Sequence, residues 1–122
     1  MTKKLELYRC EICGNIVQIM HEGMDALVCC GEPMNKIDSH GIEEEMKEKH
    51  VPAFLNEQEI QIGSEPHPMT PEHHIEFIQA MSEDKKHVYT KFLEITDEPK
   101  MKINNQYKKA REYCNIHGLW QN

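Results

Sequence analysis

No stretch of this chain approaches the roughly 18 consecutive apolar residues of a membrane span, so the sequence predicts no membrane partner. The opening run Met1-Thr-Lys-Lys-Leu-Glu-Leu-Tyr8 lacks an apolar h-region, which argues against a secretory signal and for a cytoplasmic protein. Positive charge is scarce: 14 Lys and Arg stand against 21 Asp and Glu, a formal net charge of −7. With no basic stripe visible, nucleic acid is not an expected partner. Internal repeats and low-complexity segments are absent too. What remains is a globular composition, 39% apolar and 29% charged in 122 residues, enough for one ordinary domain or a small domain beside a tiny one.

Five cysteines is an odd number, and in a reducing compartment they read as metal ligands or reactive thiols rather than disulfides. They split four to one: Cys10, Cys13, Cys29 and Cys30, then Cys114 alone. The split points to two separate sites. Residues 5–36 read as a module too small to bury enough apolar surface by itself. A metal that binds only the folded form would supply the missing stability. Cys10-x-x-Cys13 lets one tight turn present two thiolates to a single ion, and Gly14 allows the chain to turn sharply after them. Cys29 and Cys30 are neighbours, and neighbours on an extended strand point to opposite faces. The backbone must therefore bend there, with Gly31 and Pro33 as suitable company. Four thiolates suit zinc or a rubredoxin-like iron. The bland alternative is a zinc clip that only folds the first module, and a Cys29–Cys30 disulfide is a remoter one.

Residues 37–49 look like a charged linker with one or two helical turns, and Glu43 to Glu45 read as solvated surface. Beyond residue 50 the apolar pattern is mostly of period two, at residues 59–63, 88–95 and 100–103, and residues 107–113 can be extended. Residues 75–81 fit strand or helix equally by spacing. Prolines 52, 66, 68, 71 and 99 punctuate short elements. Short strands with regular turn signals predict an all-β sandwich or barrel.

Eight histidines accompany these strands. His117 follows Cys114 by three residues, His67 sits between Pro66 and Pro68, His73 comes six residues later, and His50 lies in Glu48-Lys49-His50-Val51-Pro52. Each alone reads as an ordinary surface or core histidine. Together with one unpaired thiol they make a credible nitrogen-rich metal site.

Two sets of motifs carry a resemblance. Cys10-x-x-Cys13-Gly14-Asn15 and Val28-Cys29-Cys30-Gly31-x-Pro33-Met34 look like a desulforedoxin-type module. Glu48-Lys49-His50-Val51-Pro52, His67-Pro68-Met69-x-x-x-His73 and Glu112-Tyr113-Cys114-Asn115-Ile116-His117-Gly118-Leu119-Trp120 look like a superoxide reductase core of the neelaredoxin type. The chain thus resembles the desulfoferrodoxin family of two-iron superoxide reductases over nearly its whole length. The resemblance implies a module at 1–37 with one iron on Cys10, Cys13, Cys29 and Cys30. It implies an immunoglobulin-like β-sandwich at 38–122 with a second iron on His50, His67, His73, His117 and an axial Cys114. The position opposite the sulfur would be open to superoxide, with Glu48 able to occupy it in the ferric state and Lys49 near the solvent face. His21, His40, His74 and His87 match no ligand position, although His74 adjoins His73.

The activity implied is one-electron reduction of superoxide to hydrogen peroxide, with re-reduction by rubredoxin or a similar small carrier, in a chain that forms a homodimer. A trans thiolate pushes electron density onto the metal, as in haem-thiolate enzymes. The competing readings are an iron protein that only transfers electrons and a zinc-binding interaction module.

Overall fold

The structure, a computed structural model, describes residues 1–41 and 47–122, and of Glu48 the backbone alone. It divides into two compact units, Met1–Asp38 and Ser39–Asn122.

The first unit is built from pairs of very short strands. β1 (Leu7–Arg9) pairs antiparallel with β2 (Ile16–Gln18). The small hairpin of β3 (Val28–Cys29) and β4 (Glu32–Pro33) follows, and β5 (Asn35–Lys36) returns to the other edge of β1. Its apolar interior amounts to Leu5, Leu7, Ile19 and the Cys10 side chain. So thin a core fits a module whose stability comes from a bound metal.

The bend that the adjacent cysteines demand is made at a two-residue hairpin turn. Cys29 pairs with Glu32, and the two residues between them, Cys30 and Gly31, both have positive φ, 54° and 74°. Positive φ at both central positions is the signature of a hairpin turn that matches the strand twist. The turn swings Cys30 back toward Cys29 instead of leaving it on the opposite face.

The second unit opens with β6 (Ser39–His40) and a single helical turn, α1 (Lys47–His50). Residues 42–46, which include the predicted solvated Glu43 to Glu45, lie outside the described residues. Then come β7 (Pro52–Asn56), β8 (Glu59–Ile62), β9 (Ile75–Ser82), β10 (Val88–Phe92), β11 (Lys100–Lys102), β12 (Tyr107–Cys114) and β13 (Gly118–Gln121). One sheet has the order β10-β9-β12-β13-β6 and the other β11-β8-β7. Ile60, Ile62 and Met101 from the smaller sheet meet Ile75, Ile78, Ala80, Ala110 and Cys114 from the larger in one core. This is the all-β sandwich expected from the strand pattern. The ambiguous stretch at 75–81 is strand β9, flanked by β10 and β12.

All pairings in the sandwich are antiparallel except β13 with β6. Among the described residues, no helix is long and apolar enough to cross a membrane.

Candidate metal centres

Two groups of metal-ligating side chains stand out among the described residues, one in each unit. In the first, the sulfurs of Cys10, Cys13, Cys29 and Cys30 all lie within 4.8 Å of one another. Cys13 and Cys29 are 3.5 Å apart and Cys29 and Cys30 4.0 Å, so no disulfide joins them. The Cys13 amide donates to Cys10 Sγ at 3.5 Å, and Gly14, at φ 83°, turns the chain so that its own amide donates to the Cys10 carbonyl. The Asn15 side-chain amide approaches Cys29 Sγ at 3.9 Å. Amide donation, chiefly from Cys13, brings the Cys10 thiol down to about 6, within reach of the thiolate form at neutral pH. The neighbouring thiols, Cys13 first, push Cys30 up to about 12. Four thiolates cannot crowd together without a cation to share them, and that is what the cluster offers a metal.

The second cluster draws mostly on loops and on the ends of elements, Cys114 being the last residue of β12. His50 ends α1, His67 and His73 lie between β8 and β9, and Cys114 and His117 flank the β12–β13 turn. The donor atoms of His50, His67, His73 and Cys114 lie within 4.8 Å of one another. His117 completes the set: its Nδ1 stands 3.0 Å from His50 Nε2 and 3.8 Å from Cys114 Sγ. The four rings form a square. Centroid separations run 4.7 Å from His50 to His67, 4.6 Å from His67 to His73, 5.0 Å from His73 to His117 and 4.7 Å from His117 to His50. Successive planes are 72° to 82° apart, and the His50–His73 diagonal is longer, at 6.2 Å. The wholly buried Cys114 comes to this square from the sandwich core.

The protonation pattern suits metal binding. The Pro68 carbonyl, 2.7 Å away, requires the proton of His67 on Nδ1, which leaves Nε2 bare and 3.2 Å from His50 Nε2. The buried His73 Nε2 has no hydrogen-bond partner among the described residues. Burial pushes His67 down to about 4, and burial first, then His117, His74 and Lys49, lowers His73. Neutral imidazole is the ligand form. Burial raises the Cys114 thiol, while the peptide amides of His117 and Ile116 pull it down. The His117 amide donates to Cys114 Sγ at 3.4 Å. An orphaned ring nitrogen, facing bare nitrogens and a buried thiol fit a resident metal of intermediate softness.

His50 and His67 are buried, whereas His73 and His117 are only half-buried, so one edge of the square is the accessible one. Lys49 is exposed, and its charge is felt at His73. The side chain of Glu48 lies outside the described residues. His21, His40, His74 and His87 join neither cluster.

Three residues matter here that sequence reasoning passed over. Trp120 stacks on His50, centroids 4.8 Å apart and planes 24° from parallel, and its Nε1 donates to the His117 carbonyl at 3.1 Å. Its place three residues beyond a candidate ligand was the available signal. Asn115, next to Cys114, binds the loop that carries His73. Glu112 is fully buried, neither carboxylate oxygen has a hydrogen-bond partner among the described residues, and burial pushes it up to about 9.

A β-sandwich that gathers four imidazoles and a thiol, preceded by a separate four-thiol module, defines a non-haem metalloprotein with two mononuclear centres. Residues 2–37 match the family model described as desulfoferrodoxin, N-terminal domain, and residues 42–122 the model described as desulfoferrodoxin. This chain belongs to the desulfoferrodoxin family. It is 44% identical to the desulfoferrodoxin homolog of Archaeoglobus fulgidus, over 99% of this chain and 98% of that one. It is 42% identical to the desulfoferrodoxin of Nitratidesulfovibrio vulgaris, again over 99% and 98%. The crystal structure of the superoxide reductase from Treponema pallidum superposes with a TM-score of 0.75 at 25% identity, over 100% of this chain and 99% of that one. Both clusters are iron sites: the two matched domains name the metal, and each donor set accepts it.

Proposed function

We propose that this chain is a superoxide reductase: superoxide, one electron and two protons become hydrogen peroxide. The carrying observation is the square of four imidazoles with a buried thiol, in a member of the desulfoferrodoxin family. His50, His67, His73, His117 and Cys114 hold the catalytic iron, and Cys10, Cys13, Cys29 and Cys30 hold the other. When bound, the catalytic iron supplies the electron as it passes from ferrous to ferric.

The chain's own residues do the rest. The Pro68 carbonyl fixes the His67 tautomer, and Trp120 holds His50 and the His117 peptide in place. The amide at Cys114 Sγ stabilises the thiolate. Superoxide is an anion, and a chain of net charge −7 repels it at long range. Lys49, exposed and with its charge felt at His73, would provide the local attraction, which salt weakens. Lys49 would also order a water from which the two protons of hydrogen peroxide are drawn. Glu48, adjacent in sequence, would supply a carboxylate able to compete with product for the iron.

The electron returns from rubredoxin or a similar small carrier. The module at 1–37 and the sandwich at 38–122 act as separate domains, the four-thiolate iron relaying electrons or helping the chain to dimerise. The setting is the cytoplasm.

The experiment exposes fully reduced protein to a pulse of superoxide and follows the optical spectrum. Rapid oxidation with one hydrogen peroxide formed per superoxide is expected. Oxygen evolution without a reductant would instead mean dismutation. Two zinc and no iron per chain, from iron-replete cells, would sink the redox reading.

A further inference from the structure

We propose that Asn115 is a positioning residue that clasps the two ligand-bearing loops together and thereby sets the placement of His73 relative to Cys114. The inference rests on the iron-site reading above. His73 sits in a segment between β8 and β9, where no strand or helix holds it. The peptide groups on either side of it are both taken by one side chain. Asn115 Nδ2 donates to the Glu72 carbonyl at 3.0 Å, and the His74 amide donates to Asn115 Oδ1 at 2.8 Å. The Asn115 amide donates in turn to the His74 carbonyl at 3.1 Å. Asn115 directly follows Cys114 and shares its turn with His117. A single carboxamide therefore joins the turn that bears the sulfur to the segment that bears an orphaned ring nitrogen.

The clasp needs a donor and an acceptor on one short side chain. Asparagine has both. Aspartate keeps the acceptor for the His74 amide, loses the donor, and sets a carboxylate against the Glu72 carbonyl oxygen. Alanine loses both side-chain bonds. What then ties the segment to the thiol loop is the Asn115 peptide amide on the His74 carbonyl, which any residue at 115 keeps; the bonds between Thr70 and His73, through backbone and hydroxyl, only shape the local turn.

The test compares wild type, Asn115→Asp and Asn115→Ala as full-length protein with both irons in place. Two quantities are read: iron loss from the His/Cys centre to a chelator, and the energy of its thiolate-to-iron charge-transfer band. The four-cysteine centre of the same molecule serves as the internal control. Loss of an outer partner of a ligand costs about 10- to 100-fold in metal affinity. We expect both variants to release the His/Cys iron faster by a factor in that range and to shift its band, with the four-cysteine spectrum unmoved. Lower thermal stability with unchanged iron release and band would make Asn115 a mere turn residue and overturn the proposal. So would a change in the aspartate variant alone, which would mark a charge effect. Wild type with no iron at the His/Cys centre would instead sink the iron-site reading, and this one with it.

Discussion

His117 meets Cys114 twice: its peptide amide donates to Sγ at 3.4 Å, and its ring Nδ1 stands 3.8 Å from the same sulfur. One three-residue spacing thus delivers a ligand nitrogen and the hydrogen bond that steadies its companion thiolate. Gly118 makes this possible, since its φ of 82° closes the turn so that Cys114 pairs with Gly118. Cys114→Ser should abolish the thiolate-to-iron charge-transfer band of the His/Cys centre, whereas Cys13→Ser should leave it intact and bleach the other centre. Optical spectra of the two purified variants check this; parallel loss of both bands in either variant would contradict two independent centres.

Metal-free protein should weaken in mild acid. His67 is held down at about 4 by burial, against 6.5 for a free histidine. The unfolded chain therefore binds a proton that the folded chain refuses. The contribution of His67 is fully present above pH 6.5 and is lost as pH falls toward 4. Thermal melts of metal-free wild type should drop across that window, and His67→Gln should drop less. Equal slopes would show that His67 is not the responsible group.

Gly31→Val should harm the first centre alone. The residue has φ 74° with open space around its missing Cβ, so the cost is conformational rather than a clash. A left-handed conformation costs an L-residue about 1–2 kcal/mol, and β-branching aggravates it. Iron at the four-cysteine centre should become more labile to chelators while the His/Cys spectrum stays put.

Replacing the buried acid in the core should stabilise the sandwich. Both Glu112 oxygens lack partners among the described residues, and an unsatisfied buried polar group costs about 1–3 kcal/mol. Glu112→Leu should raise the urea midpoint at neutral pH by a corresponding amount. A lower midpoint would mean that the acid contributes through the iron centre.

The strand pattern beyond residue 50 announced a β-sandwich because most elements alternate. Residues 75–81 did not declare themselves, and the reason is physical. As β9 they lie between β10 and β12, with Ile75, Ile78, Gln79 and Ala80 all buried, so solvent imposes no simple period of two. The four-cysteine site was legible from spacing, and the need for a bend at Cys29 and Cys30 was legible from strand geometry. The histidine set was legible as a candidate metal site beside an unpaired thiol, but the ligand roles came only from the resemblance, because His50, His67, His73 and His117 come from loops and a lone helical turn with no fixed spacing. Asn115 was illegible as a support, and the stacking of Trp120 on His50 likewise, since Glu72, His74 and His50 are far off in sequence; only the bond from Trp120 to His117 had a signal, its spacing of three.

Trp120 is the one tryptophan in the chain. Its indole lies against two imidazoles, those of His50 and His40, each with its centroid 4.8 Å away. Tryptophan emission, excited to the red of the absorption of the four tyrosines, therefore comes from a single indole stacked on a residue of the metal site. Filling, emptying or oxidising the centre should quench or release that emission, which makes the protein its own label-free gauge of site occupancy.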